Sequence, residues 1–377
     1  MCVLLQGAPL QHFYNSLINN VPPSLHTIEI MKNRIYTILV VLSTFTFIIL
    51  FGNIINADEP GQKNEKILSP IWALKFSPDG KTLAVGRYQW VELWDLETQE
   101  TIHAYEPHIG RVRCITFSPD GKMLYAGGGE AARSGEIRLW NVESEVLIKT
   151  FEIHGDTIES IAISPDHKKL LTASMDEYST VIDLENLDDG MPLGDQAKWL
   201  TQHVGRVLCT LYHPNGDYYV TGSEDKTLKI WNPEDNAVLV SLDGNDDAVY
   251  SLAYATRENL IVSGAADNVV RTWRITEDNN GNTRGTLVRQ FNGHQGPVYS
   301  VDCGIANNQE YIVSGSADTS VIVWNIQTGG RRRTFNDSPE PVYAVQINLD
   351  GNLVAAGGRD GKVRIWNIRN NRLIHEF

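Results

Sequence analysis

The feature that most restricts this 377-residue chain is a short apolar segment closed by tryptophan, which returns at near-regular intervals from residue 71 onward. It reads Val91-Glu92-Leu93-Trp94-Asp95, Ile137-Arg138-Leu139-Trp140-Asn141, Leu228-Lys229-Ile230-Trp231-Asn232, Val270-Arg271-Thr272-Trp273, Val321-Ile322-Val323-Trp324-Asn325 and Val363-Arg364-Ile365-Trp366-Asn367, with a degraded copy at Thr180-Val181-Ile182-Asp183. From Trp94 to Trp366, through Ile182, the seven copies lie 46, 42, 49, 42, 51 and 42 residues apart. That interval suits four short strands. Within each unit the apolar positions alternate or run in threes between turn residues, a strand period with no helical stripe beside it. Ser77-Pro78-Asp79-Gly80-Lys81, Ser118-Pro119-Asp120-Gly121-Lys122 and His213-Pro214-Asn215-Gly216-Asp217 place Pro second and Gly fourth, the chemistry of a tight reversal.

A four-stranded sheet with two apolar faces cannot bury both alone. Seven in series do so by stacking face to face around an axis, and closing the ring removes exposed edges. The expected fold is therefore all-β: a seven-bladed β-propeller of four-stranded antiparallel blades over residues 66–377. Two closures are open. Arg372 to Phe377 supply the last blade's outer strand, which the alignment of Leu373-Ile374-His375-Glu376-Phe377 with Thr101-Ile102-His103-Ala104-Tyr105 favours, or residues near Lys66 to Leu68 zip across.

Ahead of the repeats the composition changes. Lys32 and Arg34 precede seventeen uncharged residues, Ile35 to Phe51, and then Gly52, Asn53 and Ile55-Asn56-Ala57. Basic, apolar, then small-residue is the order of a secretory signal. The expectation is a signal or anchor helix over 31–57, a linker over 58–65, and Met31 as the natural initiator, with 1–30 a non-native extension or an unusual leader. The apolar run is long for a signal and short for a span, so a retained membrane tether through 35–51 is the alternative to cleavage. Either way the basic flank stays inside and the propeller is exported, to a periplasmic or extracellular site.

Composition excludes several tasks. Lys and Arg total 32 against 46 Asp and Glu, a formal charge of -14, which argues against nucleic acid as the partner. Cys2, Cys114, Cys209 and Cys303 show no spacing for zinc, haem or a disulfide framework, so buried free thiols are expected for Cys114 and Cys209. No GxSxG, HExxH, GxxxxGK[ST] or GxGxxG occurs. Gly127-Gly128-Gly129 and Glu277 to Asn282 mimic phosphate and calcium loops only weakly, and read as ordinary long loops.

Taken together, these repeats resemble the WD40, or β-transducin, family over residues 66–377. Two carry the whole hydrogen-bonded tetrad known from that family: His203, Thr221, Asp225 and Trp231, then His294, Ser314, Asp318 and Trp324. The resemblance implies that these are structural mortar, although His, Asp and a hydroxyl together would otherwise invite a hydrolase reading. His154, Thr172 and Asp176 lack the Trp, with Ile182 in its place, and Ser263, Asp267 and Trp273 have Asn245 in place of His. The repeats of Trp94, Trp140 and Trp366 have Val85, Ala126 and Ala356 where the hydroxyl belongs, and are expected to rely on packing alone.

The resemblance also implies binding at the rim of the central channel, without catalysis, cofactor or metal, by a monomeric disc. The rim register gives Trp72, Arg113, Glu159, Leu208, Tyr250, Tyr299 and Tyr343. Tyr250, Tyr299, Tyr343 and Trp72 fall on neighbouring blades with Arg113 beside them, an arc of the residue types that concentrate binding energy. The expected function is a scaffold for protein or peptide ligands. A polysaccharide or cell-wall binder stacking sugars on the arc is the first alternative, and a quinone-dependent dehydrogenase or lactonase on a propeller the second. Arg331-Arg332-Arg333 is a further basic patch, read as a solvated edge that discourages strand addition.

Overall fold

The computed structural model describes residues 68–187 and 191–377. The expected leader (1–30), the signal or anchor helix (31–57) and the linker (58–65) lie outside the described residues. Among the described residues twenty-eight strands, β1 to β28 in chain order, form seven four-stranded sheets, each built from four consecutive strands. The inner strands are β1 (Ala73–Phe76), β5 (Arg111–Phe117), β9 (Ile158–Ile163), β13 (Val207–Tyr212), β17 (Val249–Ala255), β21 (Val298–Ala306) and β25 (Val342–Ile347). Each packs on the next, and β25 packs on β1, so the seven-bladed propeller closes. All strand pairs within the blades are antiparallel.

The hairpins follow from the turn residues. In the first, the Gly80 N–H donates to the Ser77 carbonyl at 2.9 Å, and the Asp79 carboxylate accepts from the Ser77 hydroxyl and the Lys81 N–H. Gly80 has φ 70°, a left-handed backbone open to Gly without strain.

The core is divided among the blade interfaces. Among the described residues there are seven apolar clusters, one between each pair of neighbouring blades. Each repeat Trp is pressed against the preceding blade: Trp140 packs with Tyr105 and Leu93, Trp324 with Phe291, and Trp366 with Phe335. Second-strand glycines set how closely blades approach. A Cβ on Gly86 would stand 2.9 Å from Val112 of the next blade, and one on Gly264 2.8 Å from Val298. The β-branched residue fills a hole that only the missing side chain leaves.

At the seam between last and first blades, Arg372–Glu376 (β28) pairs with β27 (Val363–Asn367) as the outer strand. The blade therefore completes itself from the C-terminal end, the closure the alignment favours. Ile71, Leu74 and Val85 of blade 1 pack with Ala355, Val363 and Ile365 of blade 7, and Phe377 stacks on Trp94 at 4.1 Å. The Arg87 Nη1 donates to the carbonyls of Ser69 (2.8 Å) and Gly361 (2.9 Å), tying the seam at its polar end.

Gly264→Ala is expected to cost about 1–3 kcal/mol by overpacking the interface between blades 5 and 6. Gly155→Ala, where a Cβ meets nothing within 4 Å, should stay within about 0.5 kcal/mol. Paired urea unfolding curves check both.

Candidate functional site

The seven inner strands enclose a channel of about 660 Å³. All seven residues of the expected rim register line it: Trp72, Arg113, Glu159, Leu208, Tyr250, Tyr299 and Tyr343. Trp72 stands just ahead of its inner strand and the other six stand second or third in theirs; in those six blades the second-strand pairing register shifts here, and this extra residue turns toward the axis. Serines one residue further on hold the inner strands together. Ser160 Oγ accepts from the Thr210 N–H (3.1 Å), Ser251 from Val301 (3.0 Å) and Ser300 from Val345 (3.1 Å).

The aromatic arc forms a continuous ladder. Tyr250 and Tyr299 lie 5.5 Å apart, Tyr299 meets Tyr343 edge to face at 5.5 Å, and Tyr343 stacks parallel on Trp72 at 4.6 Å. The Arg113 guanidinium sits 4.9 Å over the Trp72 ring and makes a bidentate ion pair with Glu159, with Nε 2.8 Å from Oε2. Arg111, absent from the sequence-based expectation, also lies 4.9 Å over Trp72. Burial works against the Arg113 charge, but the Glu159 carboxylate overrides it and holds the guanidinium above its ordinary value. The Tyr250 hydroxyl is raised first by burial, then by Tyr299 and the carboxylates of Asp247, Glu224 and Glu159. Such a wall is rigid and half-buried before any ligand arrives.

Both complete tetrads form as expected. His203 bonds Asp225 (2.8 Å) through Nδ1 and Thr221 (2.7 Å) through Nε2, and Trp231 Nε1 donates to the same hydroxyl at 2.8 Å. His294, Asp318, Ser314 and Trp324 repeat this at 2.9, 2.7 and 2.8 Å. Thr221 and Ser314 are fully buried, so no substrate can reach the hydroxyl that a hydrolase would use as nucleophile. Burial raises the carboxylates of Asp225 and Asp318, yet hydrogen bonds from the imidazole, from Thr227 or Ser320 and from backbone N–H hold both well below the usual range. Where Ile182 replaces Trp, the Thr180 hydroxyl takes the indole's place, 2.7 Å from Thr172 Oγ1, and His154 keeps its bonds to Thr172 and Asp176.

Blades 1, 2 and 7 correct the expectation that packing serves where the hydroxyl is missing, and blade 5 shows what replaces its missing His. In blade 5 Trp273 keeps its bond to Ser263 (2.9 Å), while Arg271, 1% exposed, pairs with Asp267 at 2.7 Å and reaches Asn245. In blade 7 Arg364 pairs with Asp360 (2.7 Å) and Glu376 (3.0 Å), and Trp366 donates to Asp337. In blade 1 Glu92 accepts from Arg87 and Trp94, and in blade 2 the buried Glu136 faces Arg138 and His108. The physical reason is that a buried guanidinium offers several donors where an imidazole offers two nitrogens. The signal was present: Arg138, Arg271 and Arg364 each stand two residues before their Trp.

Cys114, Cys209 and Cys303 are free, with Cys209 buried and the other two half-buried, and burial pushes all three thiols up, away from the reactive thiolate. Gly127-Gly128-Gly129 lies inside strand β6 (Met123–Glu130), not in a long loop, because side chains there would collide with Cys114 and with backbone across the sheet. Glu277 to Asn282 closes a hairpin in which Asp278 accepts from its own turn. Arg331-Arg332-Arg333 lies on the outer strand of blade 6, and its first two guanidiniums cover Trp324 and Tyr311 of the strands inside it. Among the described residues no group of three or more His, Cys, Asp or Glu is arranged to hold a metal ion, and no helix is long and apolar enough to cross a membrane.

A family model described as WD domain, G-beta repeat matches residues 64–95, 99–141, 145–179, 194–232, 236–274, 285–325 and 329–367. The chain is similar to Pre-mRNA-splicing factor cwf17 of Schizosaccharomyces pombe, 26% identical over 46% of this chain and 48% of that protein. It is similar to Apoptotic protease-activating factor 1 of Rattus norvegicus, 22% identical over 81% of this chain and 26% of that protein. It is also similar to Nuclear distribution protein nudF of Emericella nidulans, 26% identical over 47% and 39%. The matched region spans half or less of each relative's length.

Arg271→Ala removes the counter-charge of Asp267, leaving it only the N–H groups of Asp246 and Val269, and should cost about 3 kcal/mol. Ser263→Ala, which frees only an indole N–H, should cost about 1–3 kcal/mol. For pH, Asp225 and Asp318 have folded pKa values below their unfolded ones. Their contribution is present above about pH 4 and is lost as pH falls below it. Thermal melts at falling pH should show an acid limb that Asp225→Asn makes shallower.

Proposed function

Because the chain belongs to the WD40 family, we propose that it is a non-catalytic scaffold whose partner is a protein or peptide held at the channel mouth by Tyr250, Tyr299, Tyr343, Trp72 and Arg113. The observation that carries this reading is the unbroken ladder of rings from Tyr250 to Trp72, capped by the Arg113–Glu159 pair. Preformed aromatic area with polar tips binds without ordering long side chains. The relatives' names share no single reaction, which suits a common role in holding partners. Stacking a sugar needs an open ring face, and Trp72 already carries Tyr343 and two guanidiniums, so the carbohydrate reading is the weaker one.

We also propose that the propeller acts outside the cytoplasmic membrane, as a protein exported by its basic-flanked apolar stretch, Ile35 to Phe51. Sequencing the mature N-terminus tests this: a start after Ala57 means cleavage, whereas a cytoplasmic protein beginning at Met31 or earlier overturns export.

The triple variant Tyr250→Ala, Tyr299→Ala and Tyr343→Ala should keep a cooperative thermal transition and lose partner capture. Capture from envelope extracts, run beside a glycan array, reads the outcome. Undiminished protein capture by the folded variant, or capture of glycans alone, overturns the reading.

A further inference from the structure

The channel mouth is unequal around its circumference. From blade 5 through blades 6, 7, 1 and 2 to blade 3 each rim side chain touches the next, ending at the Arg113–Glu159 pair. Blade 4 supplies only Leu208, an aliphatic side chain too short to continue the ladder. The gap is flanked by two loops bound to each other, with the Glu224 N–H donating to the Arg206 carbonyl at 2.9 Å.

Charge follows the same division. In the short stretches at this end of blades 3, 4 and 5 (residues 154–158, 174–178, 202–206, 223–227, 243–248 and 265–268) acidic residues outnumber basic ones nine to two. The two cations are engaged locally: Arg206 stands 3.9 Å from Glu224, and Lys226 Nζ donates to the Asp246 carbonyl. At the same end of blades 7, 1 and 2 (residues 336–341, 359–362, 87–90, 106–111 and 130–134) basic and acidic residues balance, five to five. That side exposes three large apolar side chains, Tyr88, Trp90 and Ile109, at 52%, 42% and 42%, where the acidic side exposes Tyr178 and Val204. They stand on backbone knitted between blades, where the Gln89 N–H donates to Gly110 and the His108 N–H to Gln89. Arg111, paired through its backbone with Tyr88, joins this apolar shelf to the Trp72 end of the ladder.

We propose that the mouth reads polarity: its partner is an extended segment, basic at one end and apolar at the other, seated with a Lys or Arg over Leu208 among Glu224 and Asp247, and with its apolar end on Tyr88, Trp90 and Ile109. The inference rests on the arc being the binding site and adds the chemistry of what it holds. Opposite charge selects the partner and sets its direction, while the exposed rings supply most of the contact. A segment laid the other way would put its cation near Arg111 and its apolar residues among carboxylates.

The test is fluorescence anisotropy on the whole propeller with two labelled twelve-residue peptides. One has three lysines at one end and three leucines at the other, and its counterpart has glutamates in place of the lysines. The lysine peptide should bind, weaken about tenfold or more between low and high salt, and weaken by a similar factor in the Glu224→Gln, Asp247→Asn double variant with its melting temperature unchanged. Trp90→Ala should weaken it as well. Equal binding of the glutamate peptide, no binding of either, or an unaffected double variant overturns the proposal. If native-partner capture still depends on Tyr299 in that case, the arc reading survives without the polarity. If the lysine peptide binds Tyr299→Ala as well as the unchanged protein, both fall.

Discussion

Everything in this molecule depends on apolar faces that no single blade can cover. Each four-stranded sheet is apolar on both sides, and only a neighbour on each side removes them from water. Seven interface clusters result, and the last of them, between blades 7 and 1, is built from the same residue types as the other six. Small second-strand residues such as Gly86 and Gly264 let the next blade's Val come close enough to fill the interface. The ring is thus a packing solution first, and its channel is what remains at the axis.

Polar groups carried into those interfaces must find partners, and the chain solves that requirement in two ways. Blades 3, 4 and 6 use an imidazole between a carboxylate and a hydroxyl, with an indole or a second hydroxyl completing the set. Blades 1, 2, 5 and 7 put an Arg–carboxylate pair in the interface. Both link strands of one blade to its loops through charge-assisted bonds. Their chemistry resembles a catalytic triad only in composition, since the hydroxyls of Thr221 and Ser314 are sealed from solvent.

A rigid ring presents whatever stands at its axis without further ordering, which is why the mouth is the place to look for function. The bulged start of the inner strands turns one residue per blade inward, and here those residues make a graded surface, aromatic over half the circle, ion-paired over blades 2 and 3, and open at Leu208. Specificity in such a surface comes from differences between blades, because the backbone under every position is nearly the same.

The number of blades and their four-strand pattern were legible in the sequence because they depend on local period, while both full tetrads and the seven rim positions came from the resemblance to the WD40 family. What escaped it were side-chain partnerships across the fold. Arg271 two residues before Trp273 looks like an outward strand residue, and only the packed blade shows it beside Asp267 and Asn245 with no water to hold its charge. Arg111 over Trp72 and the Phe377–Trp94 stack likewise join residues that propensity and spacing leave unrelated. Sequence by itself determined the repeating element, since strand alternation and turn chemistry act over a few residues. Tertiary structure alone decided which charges are buried together, because that depends on distances between blades that exist only once the ring has closed.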